Sequence, residues 1–419
     1  MTESTTMTPN DIDVLRDLAW KLREAAESEA NAERRRMWYA HNALQPARPM
    51  VLAEPGGVMN EIAPTFEHRC TSEKARALEN LLLKKLYPFN EIGDDEVIEP
   101  SLRVNWMVQV SDYGVMHEIH RPDTDGSLGS YVWEAPIKDL DADFHKLRMR
   151  TYSVDRQGTL AERDRLAEVF DGILDVHVRG AFWWTLGLTW SAIRLVGLEN
   201  LMLLMYDNPE GLHRLMAFLR DDALAFARWL EAEGLLTLNN AADYVGSGGR
   251  GFTHELPAAD YPAGGPARLK DLWVLSESQE TVGVSPELFA EFIFPYQDSI
   301  CREFGLTYYG CCEPVHSRWH VIQQIANLRS VSVSPWCDQA IMAEAMGDRY
   351  VFSRKPNPTL ISTDNFDEQA IREDLRTTLK AARGCPLEIV MKDVHTLGNQ
   401  PERLGRWVQL ARETIDEVG

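Results

Sequence analysis

Strand-then-helix alternation governs the second half of this chain and restricts its fold more tightly than any other feature. Leu306–Tyr309, residues 330–333, residues 349–352 and Leu387–Met391 are apolar runs of strand length. Helical stretches follow them over residues 314–325, 341–346, 366–382 and 401–418. Strands joined by short helical crossovers must run parallel, with right-handed connections. The series extends toward the N-terminus. Asn208 caps a helix that has Pro209 at its first position and Gly234 as its stop, and residues 235–238 then read as a strand. Residues 272–275 read as another strand, before a helix that opens at Ser285, Pro286 and Glu287. Weaker strands are expected near residues 102–108 and 176–181. About eight such units predict an α/β fold of the (β/α)8 TIM barrel type. No glycine-rich GxGxxG turn supports a doubly wound sheet instead.

The first 45 or so residues read as a charged, alanine-rich helix, with Ile12, Leu15, Leu18, Ala19 and Leu22 at helical spacing. A second helix is expected from a cap at Thr71 or Ser72 through Leu81, Leu82 and Leu86. The organisation expected is therefore a helical extension over residues 1–95 and a barrel over residues 96–419, with 246–265 as a long inserted loop rich in Gly and Pro. Such an extension suits a homodimer contact.

Charge narrows the function. Lys and Arg total 43 against 64 Asp and Glu, a formal charge of −21 that repels nucleic-acid backbones and anionic membranes. No stretch reaches the roughly 20 apolar residues of a membrane span, and the polar N-terminus has no signal-peptide pattern. A cytoplasmic protein with reduced thiols at all six cysteines is expected.

In a barrel the chemistry sits at the C-terminal strand ends. Polar residues expected there are Asn239 and Asn240, then Glu277, Gln279 and Glu280, then Cys311, Cys312, Glu313 and His316. Ser334, Trp336, Cys337 and Asp338 follow, then Lys355, and finally Lys392, Asp393 and His395. Thiolate, imidazole and carboxylate are the ligands a catalytic zinc takes while leaving one position open. Cys311 and Cys312, being adjacent, point to opposite sides, so at most one faces the lumen. Both can equally be small residues filling a tight strand end. Other signals carry two readings each. His117 and His120 form a metal pair or part of a surface strand. Phe182, Trp183, Trp184 and Trp190 form packing or a wall for a flat ligand, and Asp141, Asp143 and Asp171 form a solvated face.

Gly197–Glu199 with Tyr206-Asp-Asn-Pro-Glu210, Val284-Ser-Pro-Glu287, Tyr308-Tyr-Gly-Cys-Cys-Glu-Pro314, Ser332-Val-Ser-Pro-Trp336 and Lys392–Asp393 occur in an order that is similar to the uroporphyrinogen decarboxylase superfamily. The resemblance covers roughly residues 100–415. It implies a (β/α)8 barrel and brings in the zinc-dependent methyltransferases that move methyl groups to or from corrinoids. The arginine-rich N-terminal motif of the decarboxylases is missing, since residues 46–58 hold only Arg48. Cys312 matches the cysteine of the methyltransferases' His-x-Cys pattern, but Gly310 stands where the histidine would be, and Asp393 and His395 replace the later cysteine.

The resemblance thus implies a methyltransferase or demethylase acting on a small O- or N-methylated substrate, zinc-assisted, with a corrinoid acceptor on a partner protein. Metal ligands are expected among Cys312, His395, Glu280 and Glu313. Asp393, Lys392 and Tyr309 are the expected catalytic residues, and Asn240, Glu277, Gln279, Trp336, Asp338 and Lys355 the substrate contacts. A carboxy-lyase is the alternative, with Lys355 or Lys392 gripping a carboxylate and Asp338 or Asp393 as proton partner. A non-catalytic barrel that binds a corrinoid or tetrapyrrole is the third.

Overall fold

A computed structural model describes residues 7–116, 118–120, 132–180 and 182–418. His117 lies outside the described residues; His120 is exposed at the end of a strand, Glu118–His120, in a short antiparallel hairpin.

Eight strands run parallel to their neighbours: β1 Met50–Ala53, β2 Ser101–Asn105, β3 Asp175–Arg179, β4 Trp273–Ser276, β5 Leu306–Tyr309, β6 Leu328–Val333, β7 Val351–Arg354 and β8 Leu387–Met391. Six of them form one sheet in the order β1-β8-β7-β6-β5-β4, while β2 and β3 pair separately. The closed barrel expected from the sequence is therefore corrected to a barrel-like α/β arrangement whose sheet is open at two seams.

Side chains occupy both seams. At the free edge of β1, Asp95 Oδ2 accepts from Val51 N at 2.8 Å and Asp94 Oδ2 accepts from Ala53 N at 3.0 Å. At the free edge of β4, Asn239 Oδ1 accepts from Trp273 N at 2.9 Å and its Nδ2 donates to Trp273 O at 3.1 Å. Residues 235–238, read above as a strand, make no ladder there. These carboxylates and the amide satisfy backbone groups that a ninth strand or a closing pair would otherwise take.

The segment read as a helical extension contributes β1 to the sheet, so it is not helical throughout. Its first helix breaks at Ser28, whose extended backbone ends Pro9–Glu27 and whose hydroxyl caps Glu29–Asn42. Pro9–Glu27 and Glu73–Tyr87, which Ser72 caps, pack into a core with Leu102 and Val104 of β2 and with Leu166 and Phe170. The strands expected at residues 330–333 and 349–352 run over Leu328–Val333 and Val351–Arg354, and residues 314–325 form two short turns instead of one helix.

The inserted loop and the residues just before it pack against the strands. Asp243 accepts from Arg103 of β2 at 2.9 Å and also from Arg179 of β3. From there the chain runs inward over Gly246–Gly249, against Tyr308 of β5 and Val390 of β8. A Cβ on Gly246 would stand 2.1 Å from Tyr308 Cγ, and one on Gly248 would stand 2.7 Å from Val390 Cγ1. Gly248 also has φ +94°, a region that L side chains rarely adopt. Arg250, almost fully enclosed, closes the loop on Glu96, while its Nη1 stands 3.8 Å from Glu54.

Gly246→Ala should therefore cost roughly 1–3 kcal/mol, the usual penalty of overpacking a filled interior, read as a shift of the urea midpoint. Gly56→Ala, where nothing lies within 4 Å of the added carbon, should stay within about 0.5 kcal/mol of the parent.

Candidate functional site

Gly310, with φ +92°, turns the chain at the end of β5 and separates the next two side chains. Cys311 points inward and is buried; Cys312 lies on the exposed rim. Their sulfurs are 3.5 Å apart. The inserted loop meets them from the other side: Ser247 Oγ donates to Cys311 Sγ at 3.5 Å and accepts from Lys392 Nζ at 2.8 Å. Cys312 Sγ also stands 3.7 Å from Asp393 Oδ2, and Asp393 is 3.6 Å from Lys392 Nζ.

This arrangement sorts the two thiols. The hydrogen bond from Cys312 lowers the Cys311 pKa against the effect of burial, and the Lys392 charge lowers it further. Cys312 is pushed up by the same bond, by burial and by the charge of its neighbour. Burial works to lower the Lys392 pKa, but Tyr244, Cys311, Asp393 and Glu54 outweigh it and hold the ammonium charged. The arrangement thus favours ionisation at Cys311 over Cys312.

An acidic group lies behind the thiols. Glu313 is buried and accepts from Ser278 N at 2.9 Å and from Cys311 N at 2.8 Å. Glu277 is also buried; its Oε2 accepts from Gln279 N at 2.9 Å and its Oε1 has no partner. Burial, followed by the charges of Glu313 and Glu280, pushes the Glu277 pKa well up, so its carboxyl is neutral at pH values where an exposed glutamate is ionised. Burial raises Glu313 as well. Glu280 Oε2 accepts from Thr189 Oγ1 at 2.7 Å. Of the expected carboxylate–amide cluster, Glu277 faces the interior, while Gln279 and Glu280 reach the mouth.

The mouth is a pocket of about 510 Å³ lined by Gln279, Glu280, Val282, Cys312, Pro314 and Trp336. Trp336 is 66% exposed. Four other expected site residues are placed in structural roles. Tyr309 is fully buried and donates to Gln297 Oε1 at 3.0 Å, within a network that continues through Ser278 to Arg318. Asn240 Nδ2 holds the inserted loop by donating to Leu256 O at 2.7 Å. Asp338 caps the helix Gln339–Met346. Lys355 is enclosed, donating to Tyr308 Oη at 2.9 Å and Ser353 O at 3.0 Å.

The four expected zinc ligands are not gathered. Both oxygens of Glu313 are taken by backbone N–H groups, Glu280 holds Thr189, and His395 is exposed. Among the described residues, no three His, Cys, Asp or Glu side chains come together in a group that could hold a metal ion. Cys312 does reach a carboxylate, but it is Asp393, outside the expected ligand set. The sequence reading missed Ser247 and Gln297. The glycines around Ser247 were the available signal, since such backbone freedom permits close approach to another element. Nothing in the sequence singled out Gln297. The aromatic group divides: Trp183 packs against Phe226 and Phe304, while Trp184 remains 45% exposed.

No family model and no curated protein matches the sequence. A solved methyltransferase from Methanosarcina mazei is similar in structure, with a TM-score of 0.50 and 13% identity, over 92% of this chain and 98% of that one. The likeness is one of fold. Among the described residues, no helix is long and apolar enough to cross a membrane.

Lys355 yields a pH prediction. Burial lowers its pKa from 10.5 to about 8, partly offset by Glu388. Below about pH 8 the folded protein holds a buried ammonium at a cost. Above 10.5 the group is neutral in both states and the cost is gone. Across that window the unfolded chain binds more protons, so this group makes stability rise with pH. The wild type should gain about 3 kcal/mol relative to Lys355→Met across the window, measured by denaturant unfolding at several pH values. Parallel pH curves for the two proteins would refute the assignment.

Proposed function

We propose that this protein transfers a methyl group from a small O- or N-methylated compound, held in the mouth pocket, to a corrinoid carried by a partner protein. The observation that carries the reading is the polarised thiol pair on the wall of that pocket, at the C-terminal ends of parallel strands. Heteroatom demethylation breaks a C–O or C–N bond. The heteroatom keeps the electron pair and the methyl carbon passes to a nucleophile. An ether oxygen then needs a proton, whereas an ammonium nitrogen leaves as a neutral amine and needs none. Cys312 supplies a protonated group on the pocket wall. Lys392, Ser247 and Cys311 form the hydrogen-bonded path that restores its proton, with links of 2.8, 3.5 and 3.5 Å. Gln279 and Glu280 orient the substrate, since both line the pocket. Because the expected zinc ligands do not converge, no step is assigned to zinc. The lining residues include no lysine or arginine to grip a carboxylate, which favours this reading over decarboxylation.

The test mixes purified protein with a panel of methoxylated and N-methylated compounds and reduced cobalamin, following methylcobalamin by its absorbance. Transfer is expected, with kcat toward methoxylated compounds reduced at least about 100-fold in Cys312→Ser and Lys392→Met. Melting temperatures should change little in Cys312→Ser, whose side chain is exposed. Full activity toward methoxylated compounds in Cys312→Ser, or no transfer from any compound, would overturn the proposal. Stoichiometric zinc in the purified protein would show that the site takes a metal after all.

A further inference from the structure

We infer that the mouth pocket recognises a methylated ammonium cation, a tertiary or quaternary nitrogen compound, in preference to a neutral methyl ether or an anion. The inference deepens the methyl-transfer reading and rests on it.

Trp336 carries the first part of the argument. It follows β6 on a short turn and is held only by its backbone, whose N–H donates to Ser334 Oγ at 3.3 Å. Its side chain is 66% exposed and lines the open pocket at the mouth. Among the described residues the indole has neither a ring partner nor a cation over its face. The face of an unpartnered indole is the strongest side-chain site for a cation, and methylated ammonium groups suit it because their charge is spread over weakly hydrated methyls.

Charge carries the second part. Glu280 lines the same pocket, and its charge acts on both Glu277 and Glu313, so three carboxyl groups lie within one another's field. Glu277 Oε1 is buried without a hydrogen-bond partner. The cationic side chains nearby are committed elsewhere. Arg318 donates to Val284 O at 2.7 Å and to Ser278 Oγ at 3.3 Å. Lys392 lies behind the thiols on Ser247, with Asp393 beside it. The pocket therefore presents a carboxylate, an aromatic face and two apolar patches, Val282 and Pro314, with no positive charge among its lining residues. A cation whose surface is methyl groups matches all of these at once. Cys312 on the same wall places a methyl carbon beside the thiol pair.

The test is a binding titration of the whole protein by calorimetry, without acceptor, using choline and its neutral isostere in which carbon replaces nitrogen. Choline should bind at least about tenfold more tightly than the isostere. Trp336→Ala should weaken choline about tenfold, Trp336→Phe less, and Glu280→Gln should weaken choline while leaving the isostere unchanged. Equal binding of the two compounds, no choline binding, or an unaffected Trp336→Ala variant would overturn the inference. Far-UV dichroism and melting curves would check that each variant is folded. The two readings fail separately. Selective choline binding without methyl transfer from any compound would remove the enzymatic reading alone. Transfer from neutral methyl ethers, with no choline selectivity, would remove this inference alone.

Discussion

The interior of this protein depends on a short stretch of backbone that fits inside the sheet because it carries almost no side chains. Tyr308 and Val390 occupy the space that a Cβ on Gly246 or Gly248 would need. Interiors this full have no slack to accommodate an extra methyl group without moving neighbours. Asp243 fixes where the loop enters by taking Arg103 from β2 and Arg179 from β3. The same loop then rests on β5 and β8. It therefore joins the separate strand pair to the six-stranded sheet, at the place where backbone hydrogen bonds do not close the structure.

A chain of charge −21 must also manage acidic groups that it buries. Glu388 of β8 shows how. Burial would raise its pKa, but the bond to His41, at 3.2 Å, and the charges of His41 and Lys355 outweigh it. Ser353 donates to Glu388 as well, and Lys355 and Tyr308 continue the network upward. His41 belongs to the helix Glu29–Asn42, and its neighbour Asn42 donates to Phe252 O at 2.9 Å and Arg250 O at 2.7 Å. The N-terminal helices are thus bonded to the interior and to the loop that supplies Ser247, and breaking one partner of such buried pairs leaves the other uncompensated.

Two neighbouring residues divide the chemistry of the mouth. Cys311 faces the buried lysine side and Cys312 the pocket, after Gly310 has turned the chain out of the strand. The two sulfurs stand 3.5 Å apart, and the bond between them favours ionisation of Cys311 and opposes that of Cys312, while the Lys392 charge favours the ionised form of both. Glu313 links the thiols to the acidic group by accepting from the backbone of both Ser278 and Cys311. Its carboxylate therefore fixes the turns after β4 and β5 relative to each other, which makes it a positioning residue.

Much of the frame was readable in the residues. Leu306–Tyr309, Leu387–Met391, the capped helix beginning at Pro209 and the cap at Ser72 declare themselves through local propensity and capping chemistry, which act within a few residues. The strand-end rule likewise located Cys311, Cys312, Glu277 and Lys392 near one another. Other features required the assembled structure. Met50–Ala53, flanked by proline-rich segments, is a strand because Glu388–Met391 lies beside it and Asp94 and Asp95 complete its other edge. Tyr309 and Lys355 look like site residues until partners far along the chain enclose them. The open seams, the loop inside the sheet and the place of Ser247 depend on contacts between segments separated by tens to hundreds of residues. Sequence determined which segments could be strands or helices, because that choice is made by neighbouring residues. Tertiary structure decided which polar groups remain free for chemistry, because each buried donor or acceptor takes whatever partner the packing brings to it.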